Sequence, residues 1–379
     1  VSEETAMPAQ QLPPSLKLAA LATSLHLPYS TMFELTSFCN LRCVHCYDVD
    51  IQRRHPDELS TDQVKRVLDG IAEAGGVQVT FTGGEVFTRT DLVAILEHAR
   101  ARHFQINIAT NATLLDAAAA QLFKELGVWE VGVSLYGAKA ECHEAVTRVA
   151  GSFRRTMRGI EHLLSVGIRI KLKCILMKPN ADQYRPLRDL ATSLGVKYVI
   201  DPMLTPRLDG STDVLELRLS DDQLRSVIEE KELELGSQYE DLPFRDRSPA
   251  EKLNDTMCKA GVAHCAVSYR GILYPCVQLL LPVGDLKRED FGQVWKRSPV
   301  LRKLRTTRLR DIRQCRECEL IADCFRCPGV AHLEDGDAFG PSSYACRQAR
   351  VVHEVRIASM GAGKQGDRAD EGEATDPGA

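Results

Sequence analysis

Apolar positions along this chain follow two periods, and the two alternate in a regular order between residues 32 and 201. Met32–Phe38 reads as a strand. Val64, Val67, Leu68 and Ile71 then repeat at i, i+3, i+4 and i+7, the stripe of a helix with one buried face, and Ser60 with Gln63 forms a capping box that opens it. Val77–Thr82 is rich in β-formers and runs into Gly83-Gly84. Residues 91–101 read as helix, 104–109 as strand and 115–126 as helix. Val131, Val133 and Leu135 alternate on the next strand, and 153–166 is helical. Ile170, Leu172, Cys174 and Leu176 alternate with Lys171 and Lys173, the pattern of a half-buried strand. A helix over 182–194 and a strand over 196–200 complete about six β/α units. Such a series predicts an α/β fold whose parallel sheet gathers its strand ends on one face. Six units are too few for a closed eight-unit barrel, so an open, partial (β/α)6 barrel is expected.

The rest of the chain lacks this alternation. Leu16–Leu25 is apolar enough to resemble a signal-peptide core, but Lys17, Thr23 and Ser24 interrupt it and Glu3 and Glu4 precede it, so a short surface helix is expected. Pro202, Pro206 and Gly210 mark loops before a charged helix at 220–234. From Gly361 onward Gly, Asp, Glu and Ala show no apolar period, which predicts disorder. The chain therefore divides into an N-terminal extension (1–30), an α/β core (31–201), a bridging region (202–257), a cysteine-rich domain (258–350), and a helix end with a disordered tail (351–379).

Composition adds exclusions. A net charge of −4 gives no basic field for nucleic acid or an anionic membrane surface, and no apolar run approaches the roughly 18 residues of a spanning helix. Thirteen cysteines without an export signal argue against a disulfide framework and for metal binding in a reducing, cytoplasmic setting.

The cysteines are clustered. Cys39, Cys43 and Cys46 lie just after the first strand, and three thiolates at that spacing can hold three irons of a [4Fe–4S] cube, leaving the fourth iron open. The alternative is a zinc site with His45 as fourth ligand, but His45 adjoins Cys46, and both side chains would strain to reach one tetrahedral ion. With the triplet, Gly83-Gly84-Glu85 ends the second strand: glycines permit close backbone approach, and a carboxylate pairs with an ammonium. Together these motifs resemble the radical SAM superfamily, whose CxxxCxxC signature stands here as Cys39, Cys43 and Cys46, with His45 in the place of the usual aromatic. The resemblance implies that Gly83, Gly84 and Glu85 bind the amino group of S-adenosylmethionine (SAM); Val86 replaces the proline that often follows. It also implies a ribose contact for Ser134, a place at the same rim for Asn111 and a carboxylate contact for Arg148, each set against a bland alternative: a polar strand end, a turn residue and a surface arginine.

Eight further cysteines follow position 257: Cys258, Cys265, Cys276, Cys315, Cys318, Cys324, Cys327 and Cys346. Eight thiolates make two four-thiolate sites, which by spacing alone could hold zinc or iron–sulfur clusters. This region resembles the SPASM domain, which implies two auxiliary [4Fe–4S] clusters, one on Cys258, Cys265, Cys276 and Cys327 and the other on Cys315, Cys318, Cys324 and Cys346. Three clusters would then use eleven cysteines, leaving Cys142 without a role and Cys174 on the apolar face of its strand, as a barrel-lining residue or a small buried hydrophobe.

The resemblance implies an oxidoreductase: an electron from the first cluster cleaves SAM to methionine and a 5′-deoxyadenosyl radical, which takes hydrogen from a substrate carbon. Ser134-Leu-Tyr-Gly, Gly151-Ser-Phe and Arg326-Cys-Pro-Gly resemble stretches of enzymes that mature ribosomally made peptides, which implies a precursor-peptide substrate and a crosslink or another modification. An electron donor such as flavodoxin or ferredoxin is implied as well. About 30 residues precede the first strand, so no peptide-binding domain is expected there, and a leader would dock on the bridge, the SPASM region or a separate leader-peptide-binding protein. Sulfatase maturases place Asp after the cysteine matching Cys276; Val277 stands here. Alternatives are a SPASM-type dehydrogenase or sulfatase-maturase-like enzyme, and a zinc-binding or electron-transfer protein without SAM chemistry.

Overall fold

In the computed structural model, residues 13–48, 53–230 and 248–366 are described. The six expected strands are present as β1 (Ser30–Glu34), β2 (Gln78–Thr82), β3 (Gln105–Thr110), β4 (Glu130–Ser134), β5 (Ile170–Ile175) and β6 (Lys197–Asp201). They alternate with α2 (Thr61–Glu73), α3 (Leu92–Ala101), α4 (Ala117–Glu125), α5 (Ala140–Thr147), α6 (Ser152–Ser165) and α7 (Tyr184–Ser193), after a first helix, α1 (Pro14–Ser24). The Ser60–Gln63 capping box forms, and Val64, Val67, Leu68 and Ile71 are the buried face of α2. Leu18, Leu21 and Leu25 leave α1 largely exposed.

Strands β1 to β6 lie side by side in sequence order, and every neighbouring pair is parallel. Right-handed crossovers in one direction put all the connecting helices on one face of the sheet. Phe33, Phe81, Ile106, Ile108, Val131, Val133 and Leu172 point to that helix layer and carry the core. The opposite residues (Glu34, Thr80, Asn107, Gly132, Ser134, Lys171 and Lys173) line the inner face. Cys174 belongs to the outer set: it is 4% exposed in the helix-side core and accepts a hydrogen bond from Asn180 Nδ2 at 3.5 Å, so it does not line the barrel.

The sheet does not end with the α/β core. Strand β7 (His264–Val267) from the cysteine-rich region pairs parallel with β1, Ser30 opposite His264 and Phe33 opposite Val267. Strands β8 (Ile272–Tyr274) and β9 (Gly284–Asp285) extend it antiparallel, giving the order β6-β5-β4-β3-β2-β1-β7-β8-β9. The boundary expected at 258 is thus a change of connection, not of sheet. The charged helix of the bridge, α8, spans Asp221–Glu229; residues 231–234 lie outside the described residues. The C-terminal helix runs over Ser343–Gly366, past both the boundary expected at 350 and the disorder expected from Gly361; residues 367–379 lie outside the described residues.

Candidate functional site

The C-terminal ends of the parallel strands meet the loop that carries Cys39, Cys43 and Cys46. Glu58 Oε1 accepts from Ser37 N and Thr36 Oγ1, each at 2.8 Å, and fixes the start of the loop. Gly84 N donates to Thr36 O at 2.8 Å, and Glu85 N to Phe38 O at 2.9 Å. A Cβ on Gly84 would lie 2.3 Å from Phe38 O, and one on Gly83, whose φ is +126°, 2.4 Å from Thr36 O. The glycines therefore let the second strand's loop press against the cysteine loop. On the far side, Arg42 N and Val44 N donate to the carbonyls of Thr147 and Val146 at the end of α5, and Arg207 Nη1 donates to Cys46 O at 2.6 Å.

Held this way, the three thiols stand close enough for each to oppose ionisation of its neighbours. Burial pushes Cys39 up to about 12 and Cys46 up to about 11, and raises Cys43 further. Such a set binds iron well, because the metal's positive charge offsets the cost of three buried thiolates. His45 is half-buried, its pKa lowered to about 4 by desolvation and by Arg207, and its ring meets Tyr136 edge-on at 4.7 Å. Its Nδ1 has no hydrogen-bond partner among the described residues. The aromatic position of the motif is thus a packing position.

Glu85 differs from a carboxylate aimed freely at an ammonium. It is 1% exposed, and its oxygens accept from Thr110 Oγ1 (2.6 Å), Asn111 N (2.8 Å) and Phe87 N (3.2 Å). Burial raises its pKa, while these donors act the other way. The carboxylate ties β2 to the end of β3. Asn111 is likewise engaged: Nδ2 donates to Asn40 Oδ1 at 2.9 Å and lies 3.9 Å from Cys39 Sγ, while Oδ1 accepts from Thr113. Ser134 ends β4 on the inner face, two residues before the buried Tyr136. Arg148 is exposed, in the left-handed conformation that ends α5, one residue beyond the carbonyl that holds Arg42.

The eight C-terminal cysteines separate into two neighbourhoods. Cys276 feels Cys258 and Cys327, Cys327 feels Cys258, and Cys265 feels Cys276. Cys324 feels Cys315, Cys318 and Cys346. This is the interleaved division expected from the sequence, with Cys327 beside the first group. Each neighbourhood offers four thiols, the ligand type that iron–sulfur clusters and zinc both take. Between the groups lies Arg326, which sequence reasoning missed. It is 9% exposed, donates to the carbonyls of Ala338 and Gly340, and acts electrostatically on Cys315, Cys324 and Cys327. Arg207 and Glu58 stand outside any motif and Arg326 within the Arg326-Cys-Pro-Gly stretch, and only the folded chain shows how the three meet the cysteines.

Comparison with known proteins agrees with this geometry. Residues 33–191 match the radical SAM superfamily, and residues 258–319 match SPASM, an iron–sulfur cluster-binding domain. The chain belongs to the radical SAM superfamily and carries a SPASM domain, a family of enzymes that perform radical chemistry with SAM and iron–sulfur clusters. It is 30% identical to the mycofactocin maturase MftC of Mycobacterium ulcerans over 74% of this chain and 78% of that protein. It is 27% identical to an AdoMet-dependent heme synthase of Methanosarcina barkeri over 84% of this chain and 96% of that protein. Among solved structures, anSMEcpe with bound AdoMet superposes with a TM-score of 0.66 at 16% identity, covering 88% of this chain and 98% of that one. Streptococcus suis SuiB bound to its precursor peptide SuiA gives 0.64 at 15% identity, covering 91% and 84%. At those identities the likeness is one of fold. No helix among the described residues is long and apolar enough to cross a membrane.

Proposed function

We propose that this chain is a peptide maturase that cleaves SAM reductively and uses the resulting radical on a precursor peptide. The observation that carries it is the 30% identity to a mycofactocin maturase across 78% of that protein's length. Cleavage of SAM is the chemistry that a [4Fe–4S] cluster on Cys39, Cys43 and Cys46 supplies. In this reading the protein's own work is placement. Glu58, Arg207 and the Gly83-Gly84 contact fix the cysteine loop, and the rim of Gly83, Gly84, Glu85, Asn111 and Ser134 receives SAM beside it. Glu85 and Asn111 shape that rim chiefly through the backbone they hold, and Arg148 approaches from α5. The two C-terminal groups hold two auxiliary clusters, three in all, and a flavodoxin or ferredoxin supplies the electron. A separate leader-binding protein remains a partner for the substrate's recognition segment.

A second reading has its own support. The heme synthase relative aligns over 84% of this chain, so a tetrapyrrole stands beside the peptide as substrate. The test is anaerobic incubation of the reconstituted enzyme with SAM, reductant and a precursor peptide encoded beside its gene, read by mass spectrometry. In parallel, iron coproporphyrin III is followed by absorbance. A mass change in the peptide that requires SAM supports maturation; turnover of the porphyrin alone overturns it.

A further inference from the structure

Two lysines face the interior of the barrel on β5, and the structure treats them differently. Lys171 Nζ is paired with Glu130 Oε1 at 2.6 Å, so its charge is already met. Lys173, level with Ser134 in the register between β4 and β5, has no ion pair or hydrogen bond of its ammonium among the described residues. Its side chain crosses Gly132: a Cβ there would lie 2.9 Å from Lys173 Cε and 3.4 Å from Nζ. Any residue larger than glycine at 132 would push the ammonium away. Lys173 is accessible from the inner face, yet protein surrounds it closely enough that burial and the charge of Lys171 lower its pKa. Nearby on the same face, Asn107 Oδ1 is buried with no hydrogen-bond partner among the described residues. A cation whose nearest carboxylate, Glu130, is paired with Lys171, and an acceptor without its donor, thus lie on one face of the sheet, below the rim where SAM is proposed to bind.

We propose that Lys173 is a substrate-specificity residue that holds a carboxylate of the substrate inside the barrel, with Gly132 keeping clear the path of its side chain. A charge-assisted hydrogen bond to a carboxylate is roughly twice as strong as a neutral one, and it is stronger in a lumen partly shielded from water. Lys171 cannot substitute, because Glu130 occupies it. The inference rests on the substrate entering the barrel, not on its being a peptide. Carboxylates of a peptide and propionates of a tetrapyrrole share the chemistry, and the test separates them.

The reconstituted enzyme with SAM bound is titrated with three probe pairs. They are iron coproporphyrin III and its tetramethyl ester, the precursor peptide as C-terminal acid and amide, and the same peptide with each Asp and Glu replaced by its amide. The variants are Lys173→Met, Lys173→Arg and Gly132→Ala. At least one acid probe should bind the parent tenfold or more tightly than Lys173→Met, while its neutral partner binds both alike. Lys173→Arg should recover part of the difference, and Gly132→Ala, which keeps the charge but moves it, should lose most of it. Iron content and the melting temperature of each variant confirm that binding is compared between folded enzymes. If every acid probe binds parent and Lys173→Met within twofold, or the neutral partners lose as much, the proposal is overturned. If only the porphyrin acid depends on Lys173, the carboxylate site stands and the peptide reading falls.

Discussion

Glu85→Gln separates two tasks for one carboxylate. If Glu85 existed only to pair with the ammonium of SAM, the amide would weaken SAM binding and leave folding untouched. The structure predicts otherwise. The carboxylate accepts three hydrogen bonds inside the protein, from Thr110 Oγ1, Asn111 N and Phe87 N. An amide presents one oxygen and one NH2. With nitrogen toward Thr110, the hydroxyl can turn to accept, but the Phe87 N–H then faces another donor; with nitrogen toward Asn111, that backbone N–H does. One buried donor is left unmet, at about 1–3 kcal/mol. The remaining bonds lose their charge assistance, roughly 0.5–1.5 kcal/mol each, offset in part by the smaller desolvation cost of the amide. The net expectation is a loss of about 2–4 kcal/mol. Thr110→Val, which removes one donor and keeps the charge, should cost about 1–3 kcal/mol. The double variant should lose less than the sum, since both act on one bond. Denaturant midpoints of the anaerobic holoprotein measure the stability, and iron content reports whether the Asn111–Asn40 tie still holds the loop of Cys39. A Glu85→Gln variant that unfolds at the parental midpoint, yet binds SAM more than tenfold less tightly, would refute this account.

Three further outcomes follow from the structure. Reconstituted protein should carry roughly 12 iron, and replacing Cys39, Cys43 and Cys46 by Ala should remove about a third; stoichiometric zinc in the C-terminal region of anaerobically purified protein would defeat that partition. Cys324→Ala, provided circular dichroism shows it folded, should keep SAM cleavage under strong reductant and yield no modified substrate; modification at the parental rate would make that cluster structural. His143 is fully buried, its Nδ1 accepts from Tyr136 N at 3.2 Å, and burial lowers its pKa to about 4. Since the unfolded chain takes the proton first, stability is complete above the ordinary value of 6.5 and falls as pH drops toward 4. This amounts to about 2 kcal/mol between pH 7 and 5. His143→Asn should lower stability at pH 7 but flatten that slope, and an unchanged slope would remove His143 as its source.

Much of this arrangement was legible in the residues. The Ser60–Gln63 box and the stripe behind it set α2, and β-period stretches marked all six strands of the core, because local pattern and burial agree there. The cysteine spacing marked the two C-terminal groups, which the folded chain brings together in the same division. What escaped was direction and distance. Lys171 and Lys173 alternate with apolar residues as they would on a solvent-facing strand, and alternation cannot tell open solvent from the lumen of a barrel. The same ambiguity left Cys174 with two readings. Glu85 sits in a motif whose letters say nothing of where its carboxylate turns. The pairing of β7 with β1 depends on a register between stretches more than 200 residues apart, which no local period encodes.

That last pairing bears on how the chain is made. Strand β1 leaves the ribosome well ahead of the cysteine-rich region, and β2 can pair with one of its edges soon afterwards. Its other edge waits for residues 264–267. At roughly 5–20 residues per second, the interval is on the order of 10–50 s, in which a strand bearing Thr31 and Phe33 offers unpaired backbone beside the loop that will receive iron. A chain ending before β7 would keep that edge open permanently. The cysteine-rich region thus serves the nascent core as the strand that completes it, so a truncation meant to isolate the SAM-cleaving half would remove its own edge protection.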